Sequence, residues 1–157
     1  MYLGIDVGTS AVKALLIDEN SVTLAEADAP LHVSSPKPFW SEQNPTDWWD
    51  ATLRAIDDLH RQNPSAIAAT RAIGLSGQMH GATLLGADDK PLRPAILWND
   101  GRATRECAEL DAALPDLGQR AGVATMSGMT APKLIWLQKH EPDVFAKIKT
   151  ILLPKDY

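Results

Sequence analysis

Three short apolar segments separated by tight turns open the chain and constrain its fold more than any other feature. The apolar segments lie at 2–5, 11–17 and 22–27, and the turns lie at 6–10 and 18–21. Apolar runs of this length, bounded by turn-forming residues, are typical of β-strands. Turns this short leave little room for a crossover connection, so neighbouring strands run in opposite directions. The pattern predicts an antiparallel meander of three strands.

A helix is expected after an extended, proline-containing connection at 30–45. Asn44 is a good N-cap and Pro45 suits the first helical position, because proline lacks the amide hydrogen that would be unpaired there. The helix is expected to end at about Arg61. Apolar residues at helical spacing predict one buried face, made of Trp49, Leu53, Ile56 and Leu59.

Helix and strand patterns alternate through the rest of the chain. They predict a buried strand at 72–76, a hairpin or bulged ribbon made of 82–85 and 92–97, helices at 102–114 and 132–139, and a last strand at 150–153. A meander followed by such alternation predicts an α/β fold, in which helices flank a mixed sheet. A ribonuclease H-like core is the leading candidate for that order of elements.

Composition narrows the classes of function. The 157 residues fit one ordinary domain, and 45% hydrophobic residues are typical of a globular protein. A net charge of -5 gives no general attraction to nucleic acid or anionic membranes, and no apolar run approaches the length of a membrane helix. The single cysteine, Cys107, permits no intramolecular disulfide, so a cytoplasmic location is expected.

The residues with the clearest chemistry lie between the first two predicted strands, in what we call the Asp6 turn (residues 6–10). Gly8 lets the backbone approach a ligand closely, and Thr9 and Ser10 add hydroxyl donors for a phosphate. Asp6 could hold a magnesium ion, and Lys13 could reach a phosphate oxygen. The alternative interpretation is a hairpin in which Asp6 and Gly8 only make the turn.

Two further loops carry polar and aromatic groups. In the His80 loop (residues 77–81), the side chains of Gln78, Met79 and His80 could bind a polyol, although a wide turn with a structural His80 explains the same residues. In the Trp98 loop (residues 98–102), Trp98 could form an apolar wall. There Asp100 could cap the next helix, and Arg102 could hold Asp100 or a substrate oxygen.

Taken together and in this order, residues 4–10, 77–81 and 98–102 resemble the N-terminal part of the FGGY family of carbohydrate kinases. The Met79–His80 pair resembles the residues at the same place in the members of that family that act on D-xylulose. The resemblance to the family covers essentially the whole chain. It implies the actin-like ATPase fold and ATP-dependent, Mg²⁺-assisted phosphorylation of a ketopentose, D-xylulose at O5. The full-length enzyme could be a homodimer, with no nucleic acid or membrane partner.

The resemblance also implies a role for each candidate residue. Asp6 would organise the metal and the transferring phosphoryl group. The other residues of that region would bind the ATP phosphates: Gly8, Thr9, Ser10 and Lys13. The sugar would contact residues from both later loops: Gln78, Met79, His80, Trp98, Asp100 and Arg102.

The chain departs from the resembling family in length. Family kinases are several-fold longer, and their catalytic aspartate lies beyond the position of Tyr157. Residues 1–157 are therefore expected to be a partial N-terminal kinase domain, without the C-terminal domain and inactive alone. Two alternatives stay open: a ribonuclease H-like metal-dependent nuclease that uses Asp6, and a non-catalytic sugar-binding module.

Overall fold

The computed structural model describes residues 1–157 and divides into two compact units. The first unit contains residues 1–33, 45–78 and 154–157, and the second contains residues 34–44 and 79–153. The Asp6 turn therefore belongs to the first unit and the Trp98 loop to the second.

Strands and helices alternate along the chain after the opening meander. The strands are β1 (Tyr2–Val7), β2 (Ala11–Ile17), β3 (Thr23–Pro30), β4 (Glu42–Gln43), β5 (Ala72–Gly77), β6 (Thr83–Leu85), β7 (Ala95–Ile96) and β8 (Thr150–Leu152). The helices are α1 (Pro45–Gln62), α2 (Pro64–Ala68), α3 (Thr104–Ala113), α4 (Leu117–Ala121), α5 (Thr130–His140) and α6 (Pro142–Phe145), with a 3-10 turn at Pro154–Asp156.

The first unit is built on a four-stranded mixed sheet in the order β3-β2-β1-β5. β1 and β3 each run antiparallel to β2, which confirms the predicted meander, and β5 runs parallel to β1. Alternate residues of β1 and β2 are buried, as expected for a sheet covered on one face. The sheet places the end of β1, which carries Asp6, between β2 and β5.

The helix predicted from Pro45 is confirmed as α1, but the prediction of its buried face was right for Leu59 and wrong for Trp49 and Leu53. Trp48, Ala51 and Ala55 are buried with Leu59, whereas Trp49 is 57% exposed and Leu53 is 43% exposed. Alanines at two positions of the inner face let α1 lie close to the sheet, and Trp48 fills the space at its beginning. Large apolar residues alone misidentified the face, because the side chains that suit close packing are small.

The strand predicted at 72–76 is confirmed as β5, but its predicted burial was wrong. Ile73 is 59% exposed and Leu75 is 60% exposed. β5 lies at the edge of the four-stranded sheet and pairs only with β1. An apolar edge strand has fewer neighbours to cover it than a central strand has, which explains the difference.

The second unit contains α3 and α5, which pack against each other, and two short ribbons, β4–β7 and β6–β8. Its core consists of Ala82, Leu84, Ile96, Ala103, Trp136 and Leu137. α3, α5 and β8 confirm the predicted elements at 102–114, 132–139 and 150–153.

The hairpin predicted from 82–85 and 92–97 forms only in part. β6 pairs with β8 and β7 pairs with β4. The two segments contact each other directly through an isolated bridge from Ala82 to Ile96 and a hydrogen bond of 2.9 Å from the Leu92 amide to the Leu84 carbonyl oxygen. Distant segments of the chain therefore supply the main pairing partners. A bilayer-spanning helix is absent from the structure, since none of its helices combines the necessary length and apolar character.

Candidate functional site

Asp6 lies near the end of β1 with its side chain exposed. In the sheet register it is opposite Lys13 of β2 on one side and Ser76 of β5 on the other. An amine, a carboxylate and a hydroxyl thus follow one another across β2, β1 and β5. This row of groups offers both a ligand for a cation and donors for an anion.

Gly8 closes the Asp6 turn tightly. Its amide donates to the carbonyl oxygen of Asp6 at 3.0 Å and to that of Ala11 at 3.1 Å. A Cβ atom at this position would lie 2.8 Å from the Ala11 carbonyl oxygen, which is closer than real Cβ contacts. The turn therefore requires glycine here.

Gln78 braces the Asp6 turn from the end of β5. Its buried side-chain amide accepts a hydrogen bond from Thr9 Oγ1 at 3.2 Å and donates to the Gly8 carbonyl oxygen at 3.3 Å. Its backbone amide donates to the Val7 carbonyl oxygen at 2.8 Å. The structure thus brings Gln78, predicted as a sugar contact, together with Gly8 and Thr9, which were predicted to bind phosphate.

The groups around Asp6 fit a magnesium ion bound to substrate phosphates better than a metal ion held by several protein carboxylates. The structure has no group of three His, Cys, Asp or Glu side chains that could hold a metal ion. Mg²⁺ keeps several water ligands and commonly takes one or two carboxylates together with substrate phosphates, so a single exposed carboxylate fits a phosphate-bound ion. A cage of several carboxylates, which the nuclease alternative would favour, does not form.

Residues 79–81 of the His80 loop belong to the second unit, where Met79 is 58% exposed and His80 is half-buried. His80 has a φ of 59°, in the left-handed region that non-glycine residues seldom adopt. Its carbonyl oxygen accepts hydrogen bonds from Thr130 Oγ1 at 3.2 Å and from Lys133 Nζ at 2.8 Å. Two side chains of α5 therefore hold the loop at this carbonyl.

The Trp98 loop follows β7 and leaves Trp98 45% exposed. Gly128 packs against the backbone of this loop so closely that a Cβ atom there would lie 2.1 Å from the Trp98 carbonyl oxygen. Any residue with a side chain at position 128 would push the two segments apart. The backbone preceding α5 thus packs against the backbone of Trp98.

Asp100 and Arg102 form a buried ion pair at the end of the Trp98 loop. Arg102 Nη2 lies 2.7 Å from Asp100 Oδ2 and 2.7 Å from Glu42 Oε1, and Nε donates to Asp100 Oδ1 at 2.9 Å. The guanidinium lies 3.6 Å from the ring centre of Trp40 and 5.0 Å from that of Trp136. The prediction that Arg102 holds Asp100 is confirmed.

The predicted cap of the following helix was wrong. The N-cap position of α3 is Ala103, and no side chain caps it. Asp100 instead accepts from the backbone amide of Ser41 at 2.6 Å and from that of Arg102 at 2.9 Å. Its carboxylate is occupied by loop groups because the chain turns back on it before α3 begins.

Lys133 is the functional candidate that the sequence analysis missed. It is fully buried, and burial lowers its pKa to about 7, with Asp100 acting to raise the pKa and Arg102 to lower it. The signal in the sequence is its spacing, since Lys133 shares a helical face with Trp136 and Leu137, which are both buried. A lysine at a core position of a helix needs specific partners.

The mixed sheet with its Asp-bearing turn after β1 has the actin-like ATPase fold, shared with carbohydrate kinases among the structural neighbours. The family model described as "FGGY family of carbohydrate kinases, N-terminal domain" matches residues 1–157. The chain therefore belongs to the FGGY family of carbohydrate kinases, as its motifs predicted.

Individual relatives agree with this assignment. The chain is 51% identical to a xylulose kinase of Escherichia coli over 157 residues, which is 100% of this chain and 32% of that protein. It matches the crystal structure of a xyloylose kinase from Brucella ovis at 54% identity and a TM-score of 0.97, covering 99% of this chain and 32% of the other. A xylulose kinase structure from Rhodospirillum rubrum matches at 32% identity and a TM-score of 0.94, with the same coverage. The chain thus spans about a third of the length of these relatives.

Proposed function

We propose that this chain is the N-terminal part of a longer kinase that phosphorylates D-xylulose at the expense of ATP. The observation that carries the proposal is the match of the whole chain to xylulose kinases, with 51% identity to one of them. The residues of the Asp6 turn and the His80 loop give that similarity a chemical interpretation.

The Asp6 turn is the proposed site for the ATP phosphates and their magnesium ion. Asp6 would hold the ion from the protein side, and Lys13, on the neighbouring strand, would bind a phosphate oxygen. Thr9 and Ser10 would donate hydroxyl hydrogen bonds to a phosphate, and Gly8 permits the tight turn that carries them. Mg²⁺, when bound, would neutralise charge that develops on the transferring phosphoryl group.

Three solvent-accessible side chains of the second unit are the proposed sugar contacts. Met79 and Trp98 would supply apolar surface to the carbon face of the sugar, and the His80 imidazole would form a hydrogen bond to a hydroxyl. Gln78, Asp100 and Arg102 are occupied by protein groups. Their contribution to sugar binding would be to hold the loops that carry the contacts.

Phosphoryl transfer also needs a base that orients or deprotonates the sugar hydroxyl. The proposed base lies in the part of the relatives that this chain does not span. Residues 1–157 alone would accordingly bind ligands but not turn them over. Sugar binding without turnover is also what a binding module would show, so activity must be measured in the longer protein.

The test is a coupled assay of ADP release in the full-length protein with D-xylulose, D-ribulose and glycerol as acceptors. We expect turnover that depends on D-xylulose, a loss of kcat of about 100-fold or more in Asp6→Asn, and a raised KM for D-xylulose in His80→Ala. Undiminished turnover by Asp6→Asn would refute the proposed role of Asp6. Absence of ketose-dependent turnover by the unaltered protein would refute the proposed activity.

A further inference from the structure

The carbonyl oxygen of His80 receives two side-chain hydrogen bonds from α5. Lys133 Nζ donates to it at 2.8 Å, and Thr130 Oγ1, three residues earlier on the same helix, donates to it at 3.2 Å. Lys133 is fully buried and is therefore unavailable to a ligand in solution. Its side chain serves the interior of the second unit.

We propose that Lys133 and Thr130 are positioning residues, which fix the His80 peptide and thereby set the affinity of the kinase for its sugar. The φ of 59° at His80 places this residue in a conformation that costs free energy and persists only where its surroundings hold it. Two donors converging on the carbonyl define the direction of the peptide plane. The inference rests on the proposed function, in which His80 contacts the sugar.

A second hydrogen bond extends the same constraint to Trp98. Lys133 Nζ also donates to the Gly128 carbonyl oxygen at 2.7 Å, and Gly128 packs directly against the Trp98 carbonyl. One amine thus fixes both the His80 loop and the segment that supports Trp98. Two of the proposed sugar contacts keep their relative position because they share this anchor.

The amine can serve both carbonyls in either protonation state. A neutral amine has two N–H groups, which match the two carbonyl oxygens, and the ammonium has three. Burial lowers the pKa of Lys133 to about 7, and the charged side chains that act on it are Asp100 and Arg102. The anchor therefore persists on both sides of neutral pH, so its loss requires removal of the donors.

The experiment compares matched variants of the full-length kinase. Thr130→Val removes one donor at nearly constant volume, Thr130→Ser restores a hydroxyl, and Lys133→Met removes the amine while keeping an unbranched side chain. Lys147→Met, at an exposed lysine of the same unit, is the control. We expect the KM for D-xylulose to rise about fivefold in Thr130→Val and about tenfold or more in Lys133→Met. The KM for ATP should stay within about twofold throughout, and Thr130→Ser should approach the unaltered protein.

Amide hydrogen exchange in the 157-residue chain gives a second readout that does not depend on turnover. Thr130→Val should accelerate exchange at residues 79–82, and Thr130→Ser should restore protection there. This comparison also keeps the proposal testable if Lys133→Met fails to fold. Unchanged exchange in Thr130→Val would contradict the anchor itself.

His80→Ala separates the two proposals. If His80→Ala raises the KM for D-xylulose but Thr130→Val and Lys133→Met do not, the positioning role is refuted and the proposed sugar contact stands. If His80→Ala leaves that KM unchanged, the proposed sugar contact is refuted. The proposed effect of Thr130 and Lys133 on sugar affinity is then refuted as well.

Discussion

Raising the pH from 7 to 9 should stabilise the folded chain through Lys133. The pKa of this amine is lowered from 10.5 to about 7 by burial, so the folded state loses the proton in a range where the unfolded chain still holds it. Between about pH 7 and 10.5 the unfolded state thus binds more protons, and the free energy of unfolding rises with pH. Below pH 7 both states are protonated, and the full penalty of the buried charge applies.

The expected size follows from the linkage relation. One proton of difference is worth about 1.4 kcal/mol per pH unit, which gives about 2 kcal/mol between pH 7 and 9 once partial protonation near pH 7 is included. Asp100 and Arg102, the charged groups acting on Lys133, oppose each other: Asp100 raises the pKa and Arg102 lowers it. Desolvation by burial has the largest effect on the pKa of Lys133, so the net shift of that pKa is downward.

Urea unfolding of the unaltered chain and of Lys133→Met across this pH range measures the effect, since other titrating groups cancel in the difference. Between pH 7 and 9, the free energy of unfolding of the unaltered chain should rise by about 2 kcal/mol more than the free energy of unfolding of Lys133→Met. NMR of ¹³Cε-labelled lysine should show one resonance that titrates near pH 7 and is absent from the variant. A flat or falling difference in stability, or titration of Lys133 near 10.5, would refute the reasoning.

Three other predictions test the packing and the braces. Arg102→Met should destabilise the chain by about 3 to 5 kcal/mol in urea unfolding, because it removes the cationic partner of the buried Asp100 carboxylate, whereas Arg120→Met at an exposed site should cost less than about 0.5 kcal/mol. Gln78→Leu should raise the KM for ATP in the full-length kinase more than the KM for D-xylulose, and the reverse order would contradict its role as a brace of the Asp6 turn. Trp48→Ala should cost about 3 to 5 kcal/mol and Trp49→Ala about 0.5 kcal/mol or less, since they are 1% and 57% exposed. Equal costs would contradict the observed face of α1.

Local patterns predicted most of the regular elements because their causes are local. Turn residues between apolar runs predicted the meander. Pro45 predicted the beginning of α1, because the fixed φ of proline suits the first helical position. The short helices α2, α4 and α6 were not predicted, since four or five residues carry little periodic signal. The exposure of Ile73 and Leu75 depends on which strand lies beside β5, and no local pattern contains that information.

The candidate site divides in the same way. Asp6, Gly8 and His80 could be proposed from the sequence because glycines and polar residues next to predicted strands are visible there. The brace formed by Gln78 and the anchor formed by Lys133 act across sequence separations of about 70 and 53 residues, so only the fold reveals their partners. The one signal of the anchor in the sequence was a lysine at a helix position that lies among apolar positions.

Gln78 and Lys133 illustrate how the two proposed ligand sites are kept independent. The side-chain amide of Gln78 forms hydrogen bonds to the Asp6 turn within the first unit. The amine of Lys133 donates a hydrogen bond to the His80 carbonyl oxygen within the second unit. The boundary between the units falls on the peptide bond from Gln78 to Met79. Residues adjacent in sequence are therefore held by different sets of partners. Because each loop has its own brace, a change in one brace should alter the affinity for one substrate first, and kinetic constants can assign the defect to its unit.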